Sequence, residues 1–257
     1  MNPRTMRMCW AMAFGLLTLV AGCGKASVES DTRVKPRPVI RSWEYVDGFP
    51  EKIAVFDTVF WEPRDTTSLR ELIQTTDLVK GKEVLEIGTG SGLVSLCCLR
   101  AGAARVVATD VNPAAIRNAT YNARNLEVDE RFEVRQVPLE DPSAYRVIGP
   151  DERFDLIISN PPWEDQQAES IDEYALYDAR FALLESMLSG LQLHLKPGGK
   201  ALLAYGAVSG VERILELSPR LHLRARVLDD RAIADLPETF LPGMLIEVSR
   251  QAGSQHF

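Results

Sequence analysis

Apolar residues along this chain gather in two patterns. Short unbroken runs alternate with stretches in which apolar positions recur every three or four residues, so buried strands and amphipathic helices are expected in turn. The runs fall at 84–87, 104–109, 154–158, 200–206, 221–228 and 244–248, and 132–137 alternates as a further strand. A short apolar stretch at 53–56 precedes them. Helical spacing joins Leu69, Leu72, Ile73 and Thr76, with Ser68 and Glu71 placed as a capping box. The same spacing joins Ile116, Ala119, Thr120 and Ala123 behind an Asn112-Pro113 start, and 211–217 in a short helix. A long helix is expected from Glu173, through Leu176, Leu183, Leu184, Met187, Leu188, Leu191 and Leu195, to a stop at Lys196-Pro197-Gly198-Gly199. The polar stretch 164–172 reads as a loop or lid. Strands alternating with helices in this way build an α/β domain around a mostly parallel sheet.

Three strand exits carry residues suited to chemistry. After 84–87 the chain reads Gly88-Thr89-Gly90-Ser91-Gly92 and then enters a helix. Glycines at this spacing let a ligand approach the backbone, and the helix start offers free N–H groups. Glu86, two residues earlier, ill suits a pyrophosphate but suits a ligand with an ammonium group. Asp110 ends the second run, twenty residues after Gly90, where an acid can accept from ribose hydroxyls; a helix-capping acid is the plainer alternative. The fourth strand, 154–158, passes directly into Asn160-Pro161-Pro162-Trp163. The prolines remove two N–H donors and leave carbonyls as acceptors, Asn160 adds an amide oxygen, and Trp163 adds a flat face for stacking. Such a site would hold a planar NH₂ group, unless the turn merely ends the strand.

The stretch 86–92 resembles the first motif of class I S-adenosylmethionine-dependent methyltransferases. Asn160-Pro161-Pro162-Trp163 resembles the Asn-Pro-Pro-aromatic motif of the members that methylate nitrogen, on protein glutamine or nucleobase amines. Trp stands where Tyr or Phe is more usual. Segment 60–69 resembles the stretch that borders the active site in the release-factor glutamine enzymes. The resemblance implies a Rossmann-like sheet of seven strands, mostly parallel, with helices on both faces and the last strand antiparallel. It implies S-adenosyl-L-methionine as cofactor, on Glu86, Gly88, Thr89, Gly90, Gly92, Asp110, Asn112, Glu140 (or Asp141) and Asn160. Asn160 and Pro161 would be catalytic, and Pro162, Trp163, Arg64 and Thr66 would contact the methyl acceptor. For Arg64 the plainer reading is a surface ion pair, and for Trp61 simple packing.

Composition changes the picture at the amino terminus. Arg4 and Arg7 precede an apolar segment at 9–20, then Val20-Ala21-Gly22-Cys23. This is the layout of a secretory signal, and it resembles a bacterial lipobox, with Cys23 as the lipidation site of a membrane-anchored lipoprotein, periplasmic or at the cell surface. Without the signal the chain would be cytoplasmic. The expected domains are therefore a signal peptide at 1–22, a linker at 23–42 containing Lys35-Pro36-Arg37-Pro38, and the catalytic domain at 43–257. Taking two arginines from 29 basic residues, against 36 acidic, leaves a mature charge near −9. That disfavours phosphate backbones, so a protein or small-molecule acceptor is expected ahead of a nucleic acid. Cys97 and Cys98 are neighbours that cannot easily bridge and read as core residues. Three scattered histidines give no zinc spacing, and no metal is expected. Export also leaves open a second class of function, a membrane-anchored nucleoside or S-adenosylmethionine-binding module that has lost catalysis.

Overall fold

The computed structural model describes residues 39–251. The expected signal, linker start and Cys23 lie outside them. The first element among the described residues is a hairpin, β1 (Ile40–Glu44) against β2 (Ile53–Phe56). Five parallel strands follow: β3 (Glu83–Ile87), β4 (Arg105–Asp110), β5 (Phe132–Gln136), β6 (Phe154–Ser159) and β7 (Leu195–Ala207). β8 (Leu223–Val227) and β9 (Thr239–Arg250) complete the sheet, with β9 antiparallel to both neighbours. The order across the sheet is β5-β4-β3-β6-β7-β9-β8. This is the expected seven-stranded, mostly parallel sheet with a reversed last strand.

Adjacent residues of the central strands face opposite cores, as a two-residue period requires. Val84, Leu156 and Ile158 pack with α1 (Thr67–Thr75) and α2 (Leu93–Arg100) on one face. Leu85, Ile87 and Ile157 pack with α4 (Ala182–His194) and α5 (Val208–Arg220) on the other. Both faces are covered, which is why these strands read as continuous apolar runs.

α3 (Pro113–Asn125) joins the hairpin to the sheet by a device that helical periodicity does not reveal. Asn118 and Asn122, both fully buried, bond the edge of β2: Phe56 N donates to Asn118 Oδ1 (2.8 Å) and Ala54 N to Asn122 Oδ1 (2.9 Å). Asn122 Nδ2 donates in turn to the carbonyls of Ala54 and Ser91, each at 2.9 Å. One side chain thus ties the hairpin to the glycine turn. Asn122→Ala would leave buried backbone groups without partners, at a cost of about 3 kcal/mol. Thermal unfolding should then move down by on the order of 10 °C. An unchanged midpoint would show that the hairpin does not depend on this contact.

Three local expectations are corrected. The helix from Glu173 breaks: a 3₁₀ turn at Glu173–Ala175 is followed by irregular chain, and α4 starts only at Ala182. Arg180 and Phe181 sit in the left-handed region, and the Asp178 carboxylate accepts from Leu183 N and Leu184 N, satisfying the helix start. Secondly, Pro197-Gly198-Gly199 lies inside β7, because the helix already ends at His194. A Cβ on Gly199 would come within 3.1 Å of the carbonyls of Phe154 and Asp155, so close strand approach accounts for that glycine. Thirdly, the Ser68–Glu71 capping box does not form: Ser68 is inside α1, and its N-cap, Thr66, makes no side-chain capping bond. β9 also starts five residues ahead of the expected 244, through Pro242 and Gly243, which in sequence signal a turn.

Candidate functional site

The strand order reverses between β3 and β6, and in open parallel sheets ligands bind at the carboxyl ends beside such a point. A cavity of about 440 Å³ opens there, within the usual range for small-molecule sites. Its walls include the glycine turn, the tips of β4 and β6, and the chain leading into α1.

The glycine turn is held against β4. Gly88 N and Thr89 N donate to Thr109 O at 2.9 and 3.0 Å, and Gly90 N donates to Asp110 Oδ2 at 2.8 Å. Gly88 and Gly90 have positive φ, and a Cβ on either would meet no protein atom within 4 Å. Their exposed backbone is therefore cavity wall. Gly92 is different. It is absent from that wall, and a Cβ there would stand 3.0 Å from Ala119 Cα and Cβ. Its bareness serves the packing of α2 on α3, a correction to its expected cofactor contact.

Glu86 lies under the turn, only 3% exposed. Thr89 Oγ1 (2.6 Å) and Ser95 Oγ both donate to its Oε2, and neither donates to Oε1. Burial outweighs these bonds and pushes the carboxyl up to about 7. Asp110 is raised by burial too, although Gly90 N and Asn112 N favour its charged form. The cavity floor is thus a pair of acids with no cation among their recorded partners, ready for a positively charged ligand. Asn112 lines the wall while its side chain is engaged in structure: Oδ1 accepts from Ala114 N and Nδ2 donates to Thr58 O, each at 2.8 Å.

The β6 exit faces the same space. Ser159 Oγ donates to Ile87 O at 2.7 Å and pins the two strand ends together. Asn160, Pro161 and Pro162 line the cavity. Asn160 Oδ1 is buried with no hydrogen-bond donor. A buried acceptor without a partner is rare and marks a place where a ligand donor fits.

Trp163, expected to stack on the acceptor, does not line the cavity. Its ring turns toward β7, where Nε1 donates to Ala204 O at 3.3 Å and the ring fills the space over Gly206. The aromatic walls are Phe60, Trp61, Tyr174 and Tyr177. Arg64 is also corrected: it points to solvent and pairs with Glu62 (Nη2 to Oε2, 2.6 Å), the plainer reading of its sequence. Thr66 does line the cavity, with Oγ1 accepting from Arg70 Nε at 3.3 Å. Of the two candidate acids after β5, Asp141 is on the wall, with Pro142 and Ser143, and the exposed Glu140 is not. Sequence reading missed Asp65 and Asp178, both buried acids on this wall or just behind it. Asp65 sits between Arg64 and Thr66, and only the fold shows that it turns inward. Among the described residues no cluster of histidine, cysteine or acid groups could hold a metal, and no helix is long and apolar enough to cross a membrane.

Comparison with known proteins agrees with this geometry. A family model described as ribosomal protein L11 methyltransferase matches residues 64–161. A Methanocaldococcus jannaschii protein, provisionally named a protein N5-glutamine methyltransferase, is 32% identical over 166 residues, covering 62% of this chain and 79% of that protein. A release factor glutamine methyltransferase of Cereibacter sphaeroides is 37% identical over 139 residues, 49% of this chain and 48% of its own length. The chain thus spans about half of this second relative. Among solved structures, a ribosomal protein L11 methylase from Lactobacillus delbrueckii subsp. bulgaricus shares the fold, with a TM-score of 0.53 at 21% identity, covering 72% of this chain and 79% of that one.

Proposed function

The chain belongs to the protein N5-glutamine methyltransferase family of S-adenosylmethionine-dependent N-methyltransferases, and on that premise we propose that it methylates the side-chain amide nitrogen of a glutamine in a protein acceptor. One observation carries the reading: the buried amide oxygen of Asn160 lacks a donor beside a cavity that the glycine turn and its two acids also line. The residues fit the cofactor by their chemistry. Gly88 and Gly90 would admit it against the backbone, Glu86 would take its ammonium group through Oε1, and Asp110 would accept from the ribose. Bound there, S-adenosylmethionine supplies an electrophilic methyl carbon on a cationic sulfur.

The protein's own work is positional. An amide nitrogen is a weak nucleophile because its lone pair is delocalised into the carbonyl. Asn160 Oδ1 and the Pro161 carbonyl would accept from the NH₂ hydrogens and fix the nitrogen, lone pair forward, in the attacking geometry. Tyr174, Tyr177, Phe60 and Trp61 would shield that geometry from water. A mature charge near −9 supports a protein acceptor over a nucleic acid.

The acceptor class is tested with methyl-tritiated S-adenosylmethionine and a bacterial extract. Acid hydrolysis of the labelled product should release volatile methylamine, as an N-methylated glutamine amide must. Label confined to a nucleobase would overturn the protein reading. Membrane anchoring through Cys23 is part of the proposal and rests on the signal and lipobox sequence. In a bacterium the wild type should sediment with membranes and Cys23→Ser should not be processed; equal partitioning of the two would remove the anchor.

A further inference from the structure

We propose that Ser159 is a positioning residue for the transfer step: its hydroxyl replaces a backbone donor at the end of the sheet, and so releases Asn160 from the β3–β6 ladder into the cavity. The inference rests on the methyl-transfer reading of the cavity. It concerns the point where the strand that leads to the glycine turn and the strand that leads to Asn160 last touch.

The register shows which donor is replaced. β3 and β6 are parallel, and their final pair is Ile87 with Ser159. Backbone groups alternate sides along a strand. Gly88 N is directed to β4, where it donates to Thr109 O at 2.9 Å, so the groups of Ile87 are directed to β6. A parallel ladder would then supply Ile87 O from the residue after Ser159, which is Asn160. The donor is instead Ser159 Oγ, at 2.7 Å, and β6 ends at Ser159. A buried carbonyl needs a donor, and the hydroxyl lets the backbone of Asn160 leave the sheet without stranding Ile87 O.

The contact sits where it can set the geometry of transfer. Ile87 precedes Gly88, the first glycine of the turn, and Ser159 precedes Asn160. Ser159 is 1% exposed and is not on the cavity wall, whereas Asn160 is. Ser159 therefore touches no ligand there and acts through its neighbour. On the other side of β3 the arrangement differs. The glycine turn stays in register with β4 through the backbone, Gly88 N and Thr89 N both donating to Thr109 O, and the Thr109 hydroxyl, 3.4 Å from Glu86 O, replaces no backbone donor. Without the Ser159 hydroxyl the register makes Asn160 N the next donor for Ile87 O. Pairing would then extend by one residue and draw Asn160 into the sheet. A displacement of about 1 Å at a reacting centre can cost on the order of 10²-fold in rate.

The test uses the full chain, with methyl-tritiated S-adenosylmethionine and bacterial extract protein for rate, calorimetry for cofactor affinity, and amide hydrogen exchange by NMR for the backbone. Ser159→Ala should transfer methyl about 10- to 100-fold more slowly at saturating S-adenosylmethionine, with affinity for it within about twofold of wild type. The backbone amide of Asn160 should exchange about 10-fold or more slowly in this variant than in wild type, because it has joined the ladder. Ser159→Thr keeps the hydroxyl and should restore both the rate and the faster exchange. A wild-type rate in Ser159→Ala, or an Asn160 amide whose exchange does not slow, overturns the inference alone. So does a loss of affinity as large as the loss of rate, which is what a merely structural serine would give. Absence of label from the wild type overturns the methyl-transfer reading, and the positioning role with it; the exchange result then still decides whether the hydroxyl holds Asn160 out of the ladder.

Discussion

Asn160→Ala should lower single-turnover methyl transfer by about 10²–10³-fold while leaving S-adenosylmethionine affinity within about twofold of wild type. The size follows from the group removed: a preorganised polar contact at a reacting centre contributes about 2.7–4 kcal/mol. The separation of rate from affinity follows from where the contacts lie. The cofactor would rest on the exits of β3 and β4, whereas Asn160 stands at the exit of the next strand, β6. Alanine removes an amide whose oxygen has no protein donor, so the fold loses no hydrogen bond at that oxygen. The ring of Trp163, by contrast, fills space over Gly206 and bonds Ala204 O. Trp163→Ala should therefore lower stability and loosen the β6 exit; it should not act as the loss of a stacking surface for the acceptor. Comparable rates for Asn160→Ala and wild type would reduce the Asn-Pro-Pro turn to a strand ending.

Gly90→Asp should weaken S-adenosylmethionine binding by about 100-fold or more, near 3 kcal/mol. The new Cβ meets no protein atom, so its bulk falls where a ligand must approach, and its charge adds to Asp110 beside it. Gly92→Ala is the control: its Cβ presses on Ala119 at 3.0 Å, so it should lower stability with less effect on affinity. Glu86→Gln should cost affinity in a pH-dependent way. The Glu86 carboxyl is raised from its ordinary 4.5 to about 7. Its contribution to stability is thus fully present below the unfolded value and lost as pH rises through about 7. An ammonium ligand compensates the charge that appears, so the cofactor's stabilising effect should grow between about pH 6 and about pH 7.5 in wild type. In Glu86→Gln that growth should be smaller. Calorimetry and melting curves across this range check all three variants, and equal affinity in wild type and Gly90→Asp would remove the turn from the site.

The sheet was legible because both of its faces are buried. Runs such as 84–87 and 154–158 have no polar member to interrupt them except Glu86 and Asp155, and Glu86 lines the cavity. Gly88, Gly90, Asp110 and Asn160 were legible because each stands at a strand exit, where residue type and position speak together. Local signals misled where tertiary contacts override them. Trp163 carries no mark of which way its ring turns, and that direction is decided by the bare backbone of Gly206, more than forty residues later. The helix expected from Glu173 had good spacing, but Asp178 caps α4 from within it and the chain bends through Arg180 and Phe181. Asp65, Asn118 and Asn122 were invisible for a related reason: polar residues at helix starts and helix surfaces are ordinarily solvated, and only packing shows them buried.

The most direct test is a crystal structure of the chain with S-adenosylhomocysteine, the cofactor without its methyl group. The adenosine ribose should lie on Asp110 and the amino group on Glu86, with the sulfur directed toward Asn160. A ligand bound elsewhere, or bound here with its sulfur turned away from Asn160, would contradict the site and the transfer proposed for it.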